Sequence, residues 1–137
     1  MMKHVFAVLS LAVAVALSLH GPAAADGDAD KGAKVFKKCL ACHRIGPGAK
    51  TLVGPELNGV VGRKAGSVEG YSYSDASKNS GLVWDEATLT LYLRSPRAVV
   101  PGTKMTFAGL TKDGDIADVI AYLKTFDAAG NPVAPAQ

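Results

Sequence analysis

The chain has 137 residues, a net charge of +3 and 48% hydrophobic residues, so it is long enough for one globular domain and leaves little room for a second. The positive charge is small, and the sequence lacks the dense basic clusters of a nucleic-acid-binding protein. We therefore expect no nucleic-acid partner. A domain of this size has a small core, so a covalent or metal-bound group would help to stabilise it.

The first twenty-five residues form the pattern of a secretory signal peptide. Lys3 and His4 precede an apolar run over residues 5–19, and Gly-Pro and three alanines follow, ending at Ala25. Charged, apolar and small-residue segments in this order predict cleavage after Ala25. An uncleaved anchor is the alternative, but the run is shorter than the roughly 20 residues of a spanning helix. We therefore expect a mature protein of residues 26–137, charge +2, exported to an oxidising compartment without stable membrane insertion.

The first predicted helix runs from about Asp28, which can cap it, to Lys38. Gly32 weakens this helix and indicates a close approach by another element. Residues 44–81 are rich in glycine, proline, serine and asparagine and predict mostly loop, with a short helix near residues 73–79. So long a loop is unusual in a compact domain unless a bound group organises it.

Two further helices follow. The first extends from Asp85, its predicted cap, to about Ser95, and Pro96 ends it. After a loop over residues 97–110, an apolar stripe predicts a helix from Asp113 to Phe126. The Ala-, Gly- and Pro-rich tail, residues 127–137, is predicted to be disordered. No strand pattern persists, so the sequence predicts one all-α domain over residues 26–126.

The chemistry is concentrated in the sequence Cys-Leu-Ala-Cys-His at residues 39–43. C-x-x-C-H is the attachment signature of a c-type haem, in which Cys39 and Cys42 reach the two vinyl groups and His43 points at the iron. A Cys39–Cys42 disulfide is an alternative that leaves His43 unexplained. A thioredoxin-like pair needs a βαβ context, and a zinc site needs more ligands than the mature chain offers.

The axial ligands follow from a count. After removal of residues 1–25, His43 is the only histidine and Met105 the only methionine. Coordination by two histidines is therefore excluded, and Met105 is the candidate sixth ligand, a thioether that raises the reduction potential. A lone methionine is otherwise a filler of gaps in a core. Met105, however, lies in a turn-rich loop and not on an apolar helix face.

Further motifs occur in order along residues 27–123: GPELNG at 54–59, GRK at 62–64, GYSYSDA at 70–76, PGTKM at 101–105 and IAYL at 120–123. Together with residues 39–43, they make the chain resemble class I cytochrome c of mitochondria and the bacterial periplasm. The resemblance implies the cytochrome c fold, with about three main helices and shorter ones around one covalent haem c. It also implies a one-electron carrier and not an enzyme.

The resemblance assigns roles around the haem. Pro55 corresponds to the residue whose carbonyl accepts the ring N–H of His43 and fixes its tautomer. Arg63, Tyr73 and Trp84 correspond to groups that hydrogen-bond or neutralise the haem propionates. As alternatives, Arg63 is a surface charge and the two aromatic residues are core packing.

The resemblance also assigns roles to two residues near the sixth ligand and to a helix crossing in the fold. Tyr92 resembles the residue whose hydroxyl approaches the ligand sulfur, and Thr103 a further propionate donor. Gly32 and Phe36 resemble first-helix residues that cross the last helix near Tyr122, which would explain the glycine in that helix.

The family also implies partners. A basic rim at the haem edge would orient a monomeric periplasmic carrier toward acidic redox complexes in transient encounters. The expected donor is a membrane quinol–cytochrome c oxidoreductase, and the expected acceptor is a photosynthetic reaction centre or a terminal oxidase. The rim is thin, because alanine and valine occupy positions 98 and 99, where lysine is often found. The residues that match it are Lys38, Arg97, Lys104 and Lys112.

Overall fold

The computed structural model describes residues 26–134, so the predicted signal peptide, residues 1–25, lies outside the described part of the chain. None of the helices in that part combines the length and the apolar composition that a membrane span requires. Two isolated β-bridges are the only strand-like pairings of residues 26–134. The predicted all-α fold is therefore confirmed, with the helices α1 Ala29–Phe36, α2 Asp75–Lys78, α3 Glu86–Arg94, α4 Pro96–Val99 and α5 Asp113–Leu123.

The helix starts lie where the capping residues predict them. The Asp28 carboxylate accepts hydrogen bonds from the backbone N–H groups of Asp30 and Lys31 at the start of α1. The Asp85 carboxylate accepts one from Thr88 at the start of α3. These side chains satisfy donors that have no partner inside the helix, which fixes both starts.

Pro96 begins a helix as well as ending one. The preceding residue, Ser95, has φ −156° and ψ 87°, so α3 stops at Arg94. Pro96 then occupies the first turn of α4, a short helix in a segment that the sequence predicts to be loop. Proline suits this position because its missing N–H has no acceptor in a first turn.

Helices α1 and α5 cross in close contact at Gly32. A Cβ atom on Gly32 would lie 1.9 Å from the Asp118 carbonyl oxygen and 2.7 Å from Tyr122 Cβ. One turn later, the Phe36 ring packs against the Tyr122 ring with centroids 5.3 Å apart. The close approach predicted for Gly32 is therefore confirmed, and the absent side chain is what allows the helices to meet.

The core is formed by the inner face of α5 and by residues from α1, α3 and the loops. The predicted stripe of α5, Ile116, Val119, Ile120 and Leu123, is buried as expected. Other members of the cluster come from distant parts of the chain. Several of them also border a large internal cavity, so the core is packed on one side and open to this cavity on the other. These additional members are Phe36, Val60, Leu89, Leu93 and Leu110.

The C-terminal segment differs from the predicted disorder. Helix α5 ends at Leu123, and residues 127–134 fold back, with the Val133 N–H bonded to the Thr125 carbonyl at 2.8 Å. The Asp127 carboxylate accepts backbone N–H groups within this turn, and the buried Gly130 packs against the loop at Gly46. Composition alone did not predict these contacts, because aspartate and glycine are common both in ordered turns and in flexible segments. Residues 135–137 lie outside the described range.

We expect Gly32→Ala to destabilise the protein by about 2 kcal/mol, because the new methyl group would meet backbone atoms of α5 that cannot move aside cheaply. Gly114→Ala is the matched control: it lies in α5 with no atom within 4 Å of the added methyl group, and should be neutral or slightly stabilising. Denaturant unfolding followed by circular dichroism measures both. Equal free energies of unfolding for the two variants would contradict the close crossing.

Candidate functional site

A cavity of about 310 Å³ lies at the centre of the domain, and its walls are mostly apolar. Its lining comes from the turns that follow α1, the segment between α1 and α3, one face of α3, the loop around Met105 and the inner face of α5. All ten residues predicted to bind or ligate the cofactor border this single cavity. Segments far apart in sequence are thus brought to one place by the fold.

The two cysteines lie in the turns that continue α1. The Cys39 N–H bonds to the Phe36 carbonyl at 2.8 Å, and the His43 N–H bonds to the Cys39 carbonyl at 2.9 Å. These turns place Cys39, Cys42 and His43 on the cavity wall. Both cysteines are free thiols, and burial raises the pKa of the Cys39 thiol. The neutral thiol is therefore its stable form in this structure.

The His43 ring is held by a neighbouring loop. Its Nδ1 atom lies 2.7 Å from the Pro55 carbonyl oxygen, which can only accept, so Nδ1 carries the proton and Nε2 keeps its lone pair. Burial lowers the pKa of His43, which favours the neutral ring that binds metals. A Cβ on Gly54 would lie 2.4 Å from the ring atom Cε1, so only glycine leaves room for the imidazole.

Met105 is held by two hydroxyl groups. The Tyr92 hydroxyl donates to the Met105 sulfur at 3.3 Å, and Thr103 Oγ1 accepts the Met105 backbone N–H at 3.2 Å. Burial raises the pKa of Tyr92, so the hydroxyl keeps the proton that it donates. The Trp84 ring packs beside Tyr92 with centroids 4.6 Å apart. Met105 borders the cavity and is not a member of the buried core cluster.

The polar wall contains Arg63 and Tyr73. The Arg63 guanidinium donates to the carbonyls of Asn58 at 2.9 Å and Glu56 at 3.0 Å, and it also pairs with the Glu56 carboxylate. The Tyr73 hydroxyl accepts the Val68 N–H at 3.1 Å, and burial raises its pKa. Its own proton therefore remains available for an acceptor in the cavity. Arg63 is held inside its loop and is not a freely exposed surface charge.

The four predicted docking residues do not lie together. Lys38 and Lys104 border the cavity, but each has a partner within the protein: Asp115 at 3.7 Å for Lys38 and the Ser72 carbonyl at 2.7 Å for Lys104. Arg97 does not border the cavity but a second hollow, beside Phe107. Lys112 is exposed at the start of α5 and does not reach the cavity.

Sequence reasoning missed two residues of this site. Tyr71 borders the cavity, and its hydroxyl donates to the Val53 carbonyl at 3.1 Å, which joins the loops on the two sides. Glu56 pairs with Arg63 behind the wall. Tyr71 lies two residues from Tyr73, and Glu56 follows Pro55 directly, but no periodicity or spacing indicates either contact.

The lining matches the chemistry that a covalent haem requires. Two thiols, an imidazole with a fixed tautomer and a thioether border one apolar space, and an arginine and phenols border the same space. Within residues 26–134, no three or more His, Cys, Asp or Glu side chains gather as they would around a metal ion such as zinc. The donor set therefore fits a porphyrin iron better than a metal held by protein alone.

Comparison with known proteins gives the same result. A family model described as Cytochrome c matches residues 29–127. The chain is 61% identical to a cytochrome c2 of Rhodoblastus acidophilus over 105 residues, which is 77% of this chain and 98% of that protein. It is 53% identical to a cytochrome c2 of Blastochloris viridis over 131 residues, covering 96% of this chain and 98% of the relative.

A solved structure of cytochrome c2 from Rhodospirillum centenum superposes with a TM-score of 0.71 at 42% sequence identity, covering 74% of this chain and 99% of that one. Matches of this identity and coverage show the family as well as the fold. The chain therefore belongs to the cytochrome c family, and it is an electron carrier whose cofactor is a covalently bound haem c.

Proposed function

We propose that Cys39 and Cys42 hold the haem as thioethers and that His43 and Met105 ligate its iron. The observation that carries the proposal is the single cavity bordered by both thiols, the imidazole and the thioether. The fixed tautomer of His43 supports it further, because the hydrogen bond to Pro55 leaves Nε2 as the free donor atom. When bound, the haem supplies a one-electron couple at its iron.

The residues of the chain contribute by staying in place. Pro55 orients the imidazole and increases its basicity, and the Tyr92 hydroxyl holds the Met105 sulfur. Because both ligands are anchored by hydrogen bonds, little structure has to reorganise when the charge of the site changes. The apolar walls exclude water, and electrostatic interactions with each polar group are stronger in such a low-dielectric space. These features suit a carrier better than an enzyme, which needs an open position at the metal.

The polar wall is proposed to receive the propionates. Arg63 supplies a positive charge, and the Tyr73 hydroxyl keeps a proton to donate because burial raises its pKa. Trp84 and Thr103 border the same cavity. Buried carboxylates need such donors, because leaving them unpaired would cost several kcal/mol.

We infer a periplasmic location and transient partners. The signal-peptide pattern of residues 1–25 supports export. The expected donor is a membrane quinol–cytochrome c oxidoreductase, and the expected acceptor is a photosynthetic reaction centre or a terminal oxidase. Lys38 and Lys104 border the cavity and would orient it toward acidic surfaces.

Met105→Ala tests the ligation. We expect loss of the sulfur–iron charge-transfer band of the oxidised protein and a lower midpoint potential, because the thioether favours the ferrous state. Optical spectra, redox titration and the intact mass, which reports covalent haem, are the measurements. Unchanged spectra and midpoint in the variant would show that the sulfur does not bind the iron. A high-spin spectrum of the wild-type protein would favour an open-site enzyme or gas binder instead.

Tyr92→Phe tests the hydrogen bond to the sulfur. A donated hydrogen bond withdraws electron density from the thioether and disfavours the ferric state, so we expect a lower midpoint, by about 1 kcal/mol in redox free energy. Tyr71→Phe is the matched control, because its hydroxyl binds the Val53 carbonyl and not the sulfur. Equal midpoint shifts in the two variants would contradict a specific Tyr92–Met105 interaction.

Lys104→Gln tests the docking surface. We expect an association rate with the oxidising membrane complex that is about two- to threefold lower at low salt, with the difference vanishing at high salt. Lys50→Gln, an exposed lysine that does not border the cavity, is the control. Stopped-flow oxidation over a series of salt concentrations measures the rates. A salt-independent loss, or an equal loss in the control, would argue against this surface.

A further inference from the structure

The guanidinium of Arg63 is enclosed by its own loop. It donates to the Asn58 carbonyl at 2.9 Å and to the Glu56 carbonyl at 3.0 Å, while part of the side chain borders the cavity. Burial lowers the pKa of Arg63, and the Glu56 carboxylate opposes that effect. Arginine keeps its proton throughout the accessible pH range. Arg63 therefore places a permanent positive charge in the cavity wall.

Glu56 lies behind this wall. Its neighbours Pro55 and Leu57 both border the cavity, whereas Glu56 does not. One carboxylate oxygen accepts the Asn58 N–H at 2.6 Å, and the other lies 3.4 Å from Arg63 Nη1. The carboxylate is thus fixed between the backbone and the guanidinium, on the side away from the cavity.

This ion pair is the least exposed one in residues 26–134. The Arg63 and Glu56 side chains are 18% and 23% exposed, whereas the other pairs have at least one partner that is 47% exposed or more. Exposed pairs are screened by water and salt and act over short distances. The charges of a shielded pair act across the low-dielectric interior, where the cavity lies.

We propose that Glu56 sets the reduction potential of the bound haem by neutralising Arg63 in the cavity wall. This inference rests on the proposed binding of haem in that cavity. Glu56 acts here as a positioning residue, through Arg63, and touches neither the cofactor nor its ligands. Beside the carboxylate, the guanidinium can still donate hydrogen bonds. Its positive charge, however, is mostly cancelled at longer distances by the negative charge of the carboxylate.

The direction of the effect follows from charge. A positive charge in the wall disfavours the oxidised state of the bound group, because that state carries one more positive charge than the reduced state. The Glu56–Arg63 pair is neutral, so it lowers the potential relative to Arg63 alone. Removing the carboxylate charge therefore favours the reduced state.

Glu56→Gln tests the proposal, because glutamine keeps a similar shape and can still accept the Asn58 N–H. We expect that, at the ambient potential where the wild-type protein is half reduced, the ratio of reduced to oxidised haem rises about threefold in the variant. Glu56→Asp keeps the charge and should stay close to wild type. Glu86→Gln is the matched control, because Glu86 pairs with Lys124 and neither residue borders the cavity. Redox titration of the haem-loaded proteins measures the ratio.

The outcomes separate the two proposals. A wild-type protein without covalent haem, or one whose spectrum lacks histidine–methionine ligation, would refute the proposed function. With that spectrum intact, the inference fails if Glu56→Gln leaves the ratio unchanged, lowers it, or moves it no further than Glu86→Gln. It also fails if Glu56→Asp shifts the ratio as far as Glu56→Gln, since the effect would then come from shape and not charge. If Glu56→Gln does not take up haem, the Glu56→Asp variant alone decides: a ratio far from wild type overturns the inference.

Discussion

The hydrogen bond between His43 Nδ1 and the Pro55 carbonyl, 2.7 Å long, is the contact on which the site depends. It joins the turns after α1 to the loop on the other side of the ring, and it decides which ring nitrogen remains free. The surrounding backbone reinforces it, because the Gly54 N–H bonds to the Cys42 carbonyl and the Leu57 N–H to the Arg44 carbonyl, both at 2.9 Å. Any side chain at Gly54 would collide with the imidazole. The backbone of two neighbouring segments therefore holds the His43 ring in one orientation and in its neutral form.

A second constraint is the incomplete core. Helices α1 and α5 pack tightly at Gly32, but side chains of α3, α5 and the loops surround a cavity of about 310 Å³. We propose that the family's covalent haem c occupies the space that these apolar walls leave. The long irregular segment between α1 and α2 is ordered by many single hydrogen bonds, such as those of the buried Asn58 with Gly46. A prosthetic group attached at residues 39–43 would add packing contacts on the inner side of these loops.

The cavity wall is divided by charge. The thioether and imidazole donors lie among apolar and aromatic side chains, whereas the only buried or half-buried ion pair within residues 26–134, Arg63 with Glu56, lies on the loop that follows Pro55. One loop thus orients a proposed axial ligand and also sets a charge near the same cavity. This arrangement couples the geometry of the ligand to the electrostatics of the wall, since both depend on residues 54–63 keeping one conformation.

The attachment motif, the two candidate ligands, the all-α class and the main helix starts could be predicted from the amino-acid sequence, because they depend on residue type, short spacing and local capping. Asp28 and Asp85 cap the helices that their positions predicted. The folded chain was needed to show four further contacts: Tyr92 with the Met105 sulfur, Glu56 with Arg63, Lys104 with the Ser72 carbonyl, and the turn in which residues 127–134 fold back. These contacts either join segments distant in the chain or depend on which way a loop turns. No local propensity encodes them, since the same residues are equally compatible with an exposed loop or a flexible tail.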